Sequence, residues 1–182
     1  MTNRRIRRML TVLVAGGTTA IGLSAAGATP AQATVTPFTL RLTAMHSQKV
    51  LAESSPFSGT AVVQEAPSAF KNQKWRLNLI SASTAQLVNE ESGRCMEPEK
   101  PLEASIVRMQ TCDDPNDISQ PSAQIWMDHA RLYNGQTVHQ WSNLKSHMCL
   151  DVSGASQSSG GLVIQYTCHG GPNQLFKQSI VP

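Results

Sequence analysis

The feature that most constrains this chain is that it repeats itself. Gln73-Lys74-Trp75 returns as Gln124-Ile125-Trp126 and again as Gln174-Leu175-Phe176, at intervals of 51 and 50 residues. Cys95-Met96-Glu97 returns 54 residues later as Cys149-Leu150-Asp151, and Val50-Leu51-Ala52 fills the same slot in the first copy. Between these landmarks lies a third set: Val62-Val63-Gln64, Ile106-Val107-Arg108 and Val163-Ile164-Gln165. A period of this size marks a supersecondary unit that buries its apolar face only against its neighbours.

The apolar segments inside each unit are short and β-branched: 38–42, 61–63, 84–88, 105–107 and 162–164. Turn clusters such as Ser54-Ser55-Pro56, Asp113-Asp114-Pro115-Asn116 and Ser153-Gly154-Ala155-Ser156 separate them. No stretch beyond residue 34 carries a helical stripe. Each unit therefore reads as about four short strands, and three units as an all-β barrel of about twelve. Placed on a strand, the first and third residues of Gln-x-Trp share a face. The indole then fills the centre while the amide satisfies buried backbone groups around it. The motif specifies a fold and says little about a ligand.

Ahead of the repeats, Arg4, Arg5, Arg7 and Arg8 precede an apolar stretch from Met9 to Leu23, and Ala31-Gln32-Ala33 supplies small residues at a cleavage site. Residues 1–33 are expected to be a cleaved signal peptide, which makes the mature protein secreted and extracellular. Glycines and threonines within the apolar stretch argue against a retained membrane anchor. Arg7-Arg8-Met9-Leu10 also has the look of a twin-arginine signal, with the general secretion route preferred. Without the four arginines the chain holds 11 basic against 12 acidic residues, so no basic surface is left to argue for nucleic acid.

Four cysteines follow, an even number that suits disulfides in an exported chain. Three pairings are open; equivalent placement in successive repeats favours Cys95 with Cys112 and Cys149 with Cys168, and no free thiol. No pair has C-x-x-C spacing and the five histidines are scattered, so no metal and no cofactor is expected.

Three Gln-x-aromatic motifs, each behind a Cys-Leu-Asp-like turn, resemble the ricin B-type lectin family across residues 37–182, most closely in the third unit. The resemblance implies a β-trefoil of three four-strand units in a domain of residues 34–182, each unit able to carry a shallow sugar pocket. The family pattern asks for the Asp of the Cys-Leu-Asp turn, an aromatic two residues before the second Cys, and the Asn before Gln-x-Trp. Chemically these are an acceptor for two hydroxyls, a stacking face and an amide donor. The third unit supplies Asp151, Tyr166 and Asn173, with Gln174 supporting the pocket wall and His169 beside Cys168 reaching a hydroxyl. It departs from the pattern at Ile164: a glutamine is common there, and Gln165 is displaced to the other strand face. The second unit has Glu97, Gln110 and Ala123 in these positions; the first has Ala52 and Glu65 beside Asn72 and Gln73. Sugar binding is thus expected from the third unit, with a galactose-, xylan- or related glycan as ligand.

Glu90-Glu91 and Asp113-Asp114 are adjacent pairs in turn-like segments, unsuited to flank one glycosidic bond, and no nucleophile elbow holds a serine. No enzyme is expected, nor a membrane association after cleavage, and the mature protein is expected to be a monomer. The rival reading is a trefoil that binds protein, such as a secreted protease inhibitor, using loops 97–105 and 113–122.

Overall fold

A computed structural model describes residues 39–115, 117 and 122–181. The signal-peptide reading of residues 1–33, Phe38 and most of the segment 116–121 lie outside these described residues.

The first repeat forms β1 (Thr39–Ala44), β2 (Val50–Glu53), β3 (Val62–Glu65) and β4 (Trp75–Leu79). The second forms β5 (Thr84–Asn89), β6 (Cys95–Pro98), β7 (Ser105–Gln110) and β8 (Ile125–Tyr133). The third forms β9 (Gln136–Asn143), β10 (Cys149–Val152), β11 (Gly161–Tyr166) and β12 (Phe176–Val181). All twelve belong to one antiparallel hydrogen-bonded sheet. The pairing obeys a threefold rule. First and fourth strands pair within each unit: β1 with β4, β5 with β8, β9 with β12. Fourth and first strands pair between units: β4 with β5, β8 with β9, β12 with β1. These six strands close a ring, which leaves no open edge in it. The second and third strands form three hairpins, and β11 joins both β3 and β7. An Ala61–Arg108 bridge completes that triangle. This is β-trefoil architecture, derived from register alone.

The repeated motifs occupy equivalent places. Trp75, Trp126 and Phe176 are fully buried at the start of the fourth strands. Trp75 Nε1 donates to Leu51 O at 3.0 Å, and Trp126 Nε1 donates to Met96 O at 3.1 Å, the matching carbonyls of the first two units. Leu40, Leu42, Leu87, Met109, Leu150 and Trp141 complete the core. One expectation needs correction. Gln73 and Gln174 end 3-10 turns (Lys71–Gln73 and Pro172–Gln174), and Gln124 also sits in a turn, so the glutamine does not share a strand with its aromatic. It lies before the strand and is buried there, each amide holding the loop around the second cysteine position. Gln73 takes Ser68 N and gives to Ala66 O; Gln124 takes Asp113 N and gives to Thr111 O; Gln174 takes His169 N and gives to Thr167 O, all at 2.7–2.9 Å.

Both expected disulfides are present, Cys95–Cys112 and Cys149–Cys168. Closing loops of 17 and 19 residues contributes about 3 kcal/mol each in the chain-entropy model. The first unit has Pro67 between the two residues that Gln73 binds and makes no such link.

Candidate functional site

In the third repeat the Cys149-Leu150-Asp151 turn of the sequence is strand β10, and it places Asp151 almost out of solvent, 3% exposed. Two amides converge on one of its oxygens. Asn173 Nδ2 and Gln174 Nε2 each donate to Asp151 Oδ2 at 2.9 Å. His169 Nε2 stands 3.4 Å from the same atom. His169 Nδ1 accepts the Gly171 N–H at 3.0 Å, which leaves the ring proton on Nε2, facing the carboxylate. Burial pushes the Asp151 carboxyl above the ordinary aspartate range; the bonds from Gln174 and Asn173, then His169, pull the other way without cancelling it.

Gly171 makes this packing possible. A Cβ there would stand 2.8 Å from two ring atoms of His169 and 3.1 Å from Asn173 Oδ1. Tyr166, at the end of β11, is 38% exposed, and its ring meets that of His169 edge-on with centroids 6.2 Å apart. Asp151, Tyr166, His169 and Asn173 line an open depression of about 410 Å³ together with Ile164 and the Ser153–Ala155 turn. Gln174 is fully buried behind it and touches Asp151, not the cavity. Gln165 points away: it is buried and bonds Lys100 O, Leu102 O and the Ser146 hydroxyl.

Two contributors come from outside the third repeat. The loop after β6 brings Ala104 to the cavity rim in a left-handed conformation, φ 59°. Its neighbour Glu103 accepts from the Thr167 hydroxyl at 2.5 Å and from Thr167 N at 3.3 Å, tethering the residue beside Tyr166. The loop is shorter than 97–105, because Glu97 and Pro98 belong to β6. No sequence signal marks these residues, since they reach the site by threefold packing and not by position within a repeat.

The corresponding place in the second repeat has Glu97, which takes a bond from Gln124 Nε2 at 3.0 Å, but Gln110 stands where the third repeat has its ring and Ala123 where it has the asparagine amide. The first repeat has Ala52, and the adjacent Glu53 is fully buried. Neither Glu53 carboxylate oxygen meets the distance and angle of a hydrogen bond among the described residues; burial pushes the group above the ordinary glutamate range, against the weaker opposing pull of the Ser92 hydroxyl and Arg94. Glu90 and Glu91 are exposed in a turn, and Asp113 and Asp114 are exposed in irregular backbone.

Residues 122–181 match the family model described as ricin-type beta-trefoil lectin domain-like. A search of curated protein sequences finds no match. Among solved structures the chain is similar to the designed threefold-symmetric protein ThreeFoil, at 28% identity and a TM-score of 0.68 over 77% of this chain and 96% of that one. It is similar to the hemolytic lectin CEL-III at 28% identity and TM-score 0.60, over 78% of this chain and only 30% of that one. The ricin B-like lectin of Macrolepiota procera, solved with lactose, shares 16% identity and TM-score 0.62 over 78% of this chain and 94% of its own.

Proposed function

We propose that this chain, whose residues 122–181 carry the ricin-type β-trefoil lectin-like signature, is an exported, non-catalytic protein that binds carbohydrate through its third repeat. The observation that supports this reading is the depression at Asp151. An aspartate oxygen fixed by two amides and a histidine lies across a cavity from a half-exposed tyrosine ring. Asp151 Oδ1 takes none of those bonds and serves as the hydroxyl acceptor; Asn173 adds polar contact, and the Tyr166 face receives the C–H side of a pyranose. His169 closes one side and Gln174 holds Asp151 from behind. The ligand class is a galactose-, xylan- or related glycan, bound by a monomer after residues 1–33 are removed.

One competent pocket without avidity implies weak affinity for a simple sugar, on the order of 0.1–1 mM. A glycan array on the mature protein, followed by titration of the best sugar against Asp151→Ala and Tyr166→Ala, tests the reading. Each variant is expected to lose binding by tenfold or about 1.4 kcal/mol at least, while its melting curve stays cooperative. Undiminished binding in both variants, or inhibition of a secreted protease with no glycan retained, overturns it.

A further inference from the structure

The β8–β9 hairpin outgrows its counterpart. Its ladder runs from Trp126↔Asn143 to Tyr133↔Gln136, eight pairs, where the β4–β5 ladder has five. Asn134 and Gly135 turn it with φ of 48° and 75°, the two-residue geometry that matches strand twist and holds a hairpin tip rigidly. The added length carries Arg131, Leu132 and Tyr133 to the far side of His169. There they line a second open depression of about 420 Å³, with Gln140, His169 and the Cys168–Gly170 segment. His169 is common to both depressions, which therefore adjoin across one side chain.

A single hydrogen-bond relay joins the two. Arg131 Nη2 donates to Gln140 Oε1 at 3.1 Å, Gln140 Nε2 donates to Gln174 Oε1 at 3.1 Å, and Gln174 Nε2 donates to Asp151 Oδ2 at 2.9 Å. A guanidinium only donates and a carboxylate only accepts, so the charged ends fix the orientation of both amides between them. The far depression is thus the cationic end of the machinery whose anionic end is Asp151. Arg131 is exposed, its bond is to a neutral amide, and none of the lining residues is acidic. In the second repeat the matching relay runs from Asn78 through Gln86 to Gln124 and Glu97, at 2.7, 3.5 and 3.0 Å, and begins on a neutral side chain.

We propose that the binding surface of the third repeat continues past His169 and takes a carboxylate-bearing sugar residue, linked to the residue held at Asp151 and Tyr166, with Arg131 pairing its carboxylate. The proposal rests on the sugar-binding reading of the first depression. A guanidinium meets a planar carboxylate with paired donors, a geometry that neutral hydroxyls do not reproduce. Tyr133 and Leu132 provide apolar wall beside it.

Calorimetric titration of the mature protein with matched probes tests this: sialyllactose against lactose, and aldotriouronic acid against xylotriose. At low salt the acidic member of at least one pair is expected to bind about fivefold tighter, the order of one partly exposed charged pair. That advantage is expected to shrink in 0.5 M NaCl, a salt level at which exposed pairs are largely screened. Arg131→Gln is expected to bring the ratio of acidic to neutral affinity to about one, and Arg131→Lys to keep part of it. Neutral probes bound with no acidic preference in either pair overturn the extended site and leave the first reading standing. Binding of none of the four, with an empty glycan array, overturns both. An acidic preference that survives Arg131→Gln also overturns the assignment.

Discussion

The second and third repeats share a backbone, a disulfide and a buried aromatic, and each has a cavity beside its carboxylate, about 150 Å³ at Glu97 and Ala123 against about 410 Å³ at Asp151, yet only the third lines it with an aromatic ring and the asparagine that precedes its Gln-x-aromatic motif. Glu97 and Asp151 occupy the same register position, and each receives the Nε2 of the glutamine in its Gln-x-aromatic motif, at 3.0 and 2.9 Å. What differs is the surround: Tyr166, Asn173 and His169 in one, Gln110, Ala123 and Asp113 in the other. The glutamine–carboxylate bond is therefore a feature of the scaffold. On the proposed function, recognition is added by three residues on its rim. A threefold fold repeats its core three times without repeating its chemistry, because rim residues carry little of the stability.

The largest expected effect tests the shared core. Trp126→Ala and Phe176→Ala should each cost about 3–5 kcal/mol, as for large buried aromatics, read from denaturant midpoints. A midpoint unmoved in either would break the equivalence of the two repeats. Next comes a transplant: Glu97→Asp, Gln110→Tyr and Ala123→Asn together should raise the stoichiometry of sugar binding from one to two. A stoichiometry still at one would show that the rim needs more than these three residues, with a histidine in place of Asp113 the first addition to try. Gly171→Ala should weaken binding about three- to tenfold, because its Cβ displaces His169 and Asn173, at a cost of about 1 kcal/mol or a little more. The matching titration of Glu97→Ala should show no change.

Acid should separate binding from folding. Burial raises the Asp151 carboxyl, and sugar acceptance needs its ionised form, so affinity should fall at milder acidity than an ordinary aspartate implies. Stability runs the opposite way. A carboxyl whose folded value is raised holds its proton more tightly in the native state, so its stabilising effect is complete below the ordinary value and is lost as pH rises through the folded one. The same sign applies to buried Glu53. Glu53→Gln should therefore raise the unfolding free energy more at pH 7 than at pH 4, by a difference on the order of 1 kcal/mol. Equal shifts at both pH values would mean Glu53 is solvated.

Much of this was legible in the chain because it is periodic. Strand positions, the buried Trp75, Trp126 and Phe176, both disulfides and the gathering of Asp151, Tyr166, His169 and Asn173 follow from where each residue stands within its repeat. What escapes is what crosses between repeats or comes from a strand with no motif. Glu103 and Ala104 reach Tyr166 and its neighbours from the second unit, and within the third Gln140 reaches Gln174 from β9, a strand with no motif of its own. Trp141 is a further case: it fills the core alongside Leu42 and Leu87, and its indole N–H has no partner among the described residues. The Gln-x-Trp spacing suits one strand, although a 3-10 turn serves the same burial. Two positions of separation fit either geometry, and the backbone demand on the amide is what decides between them.

The six-pair ladder between β1 and β12, from Thr39↔Val181 to Ala44↔Phe176, gives the ring no privileged beginning. Paired residues at the end of an antiparallel ladder lie about 5 Å apart. A linker of a few residues would therefore join Val181 to Thr39 and let new termini be cut elsewhere, as circular permutation allows when ends are close. Opening the chain at 80–83 keeps the β8–β9 hairpin whole; opening it at Asn134-Gly135 severs the turn that presents Arg131 and Tyr133. The order in which the three units are strung is thus a separate variable from their arrangement in space, and sugar recognition should follow the second.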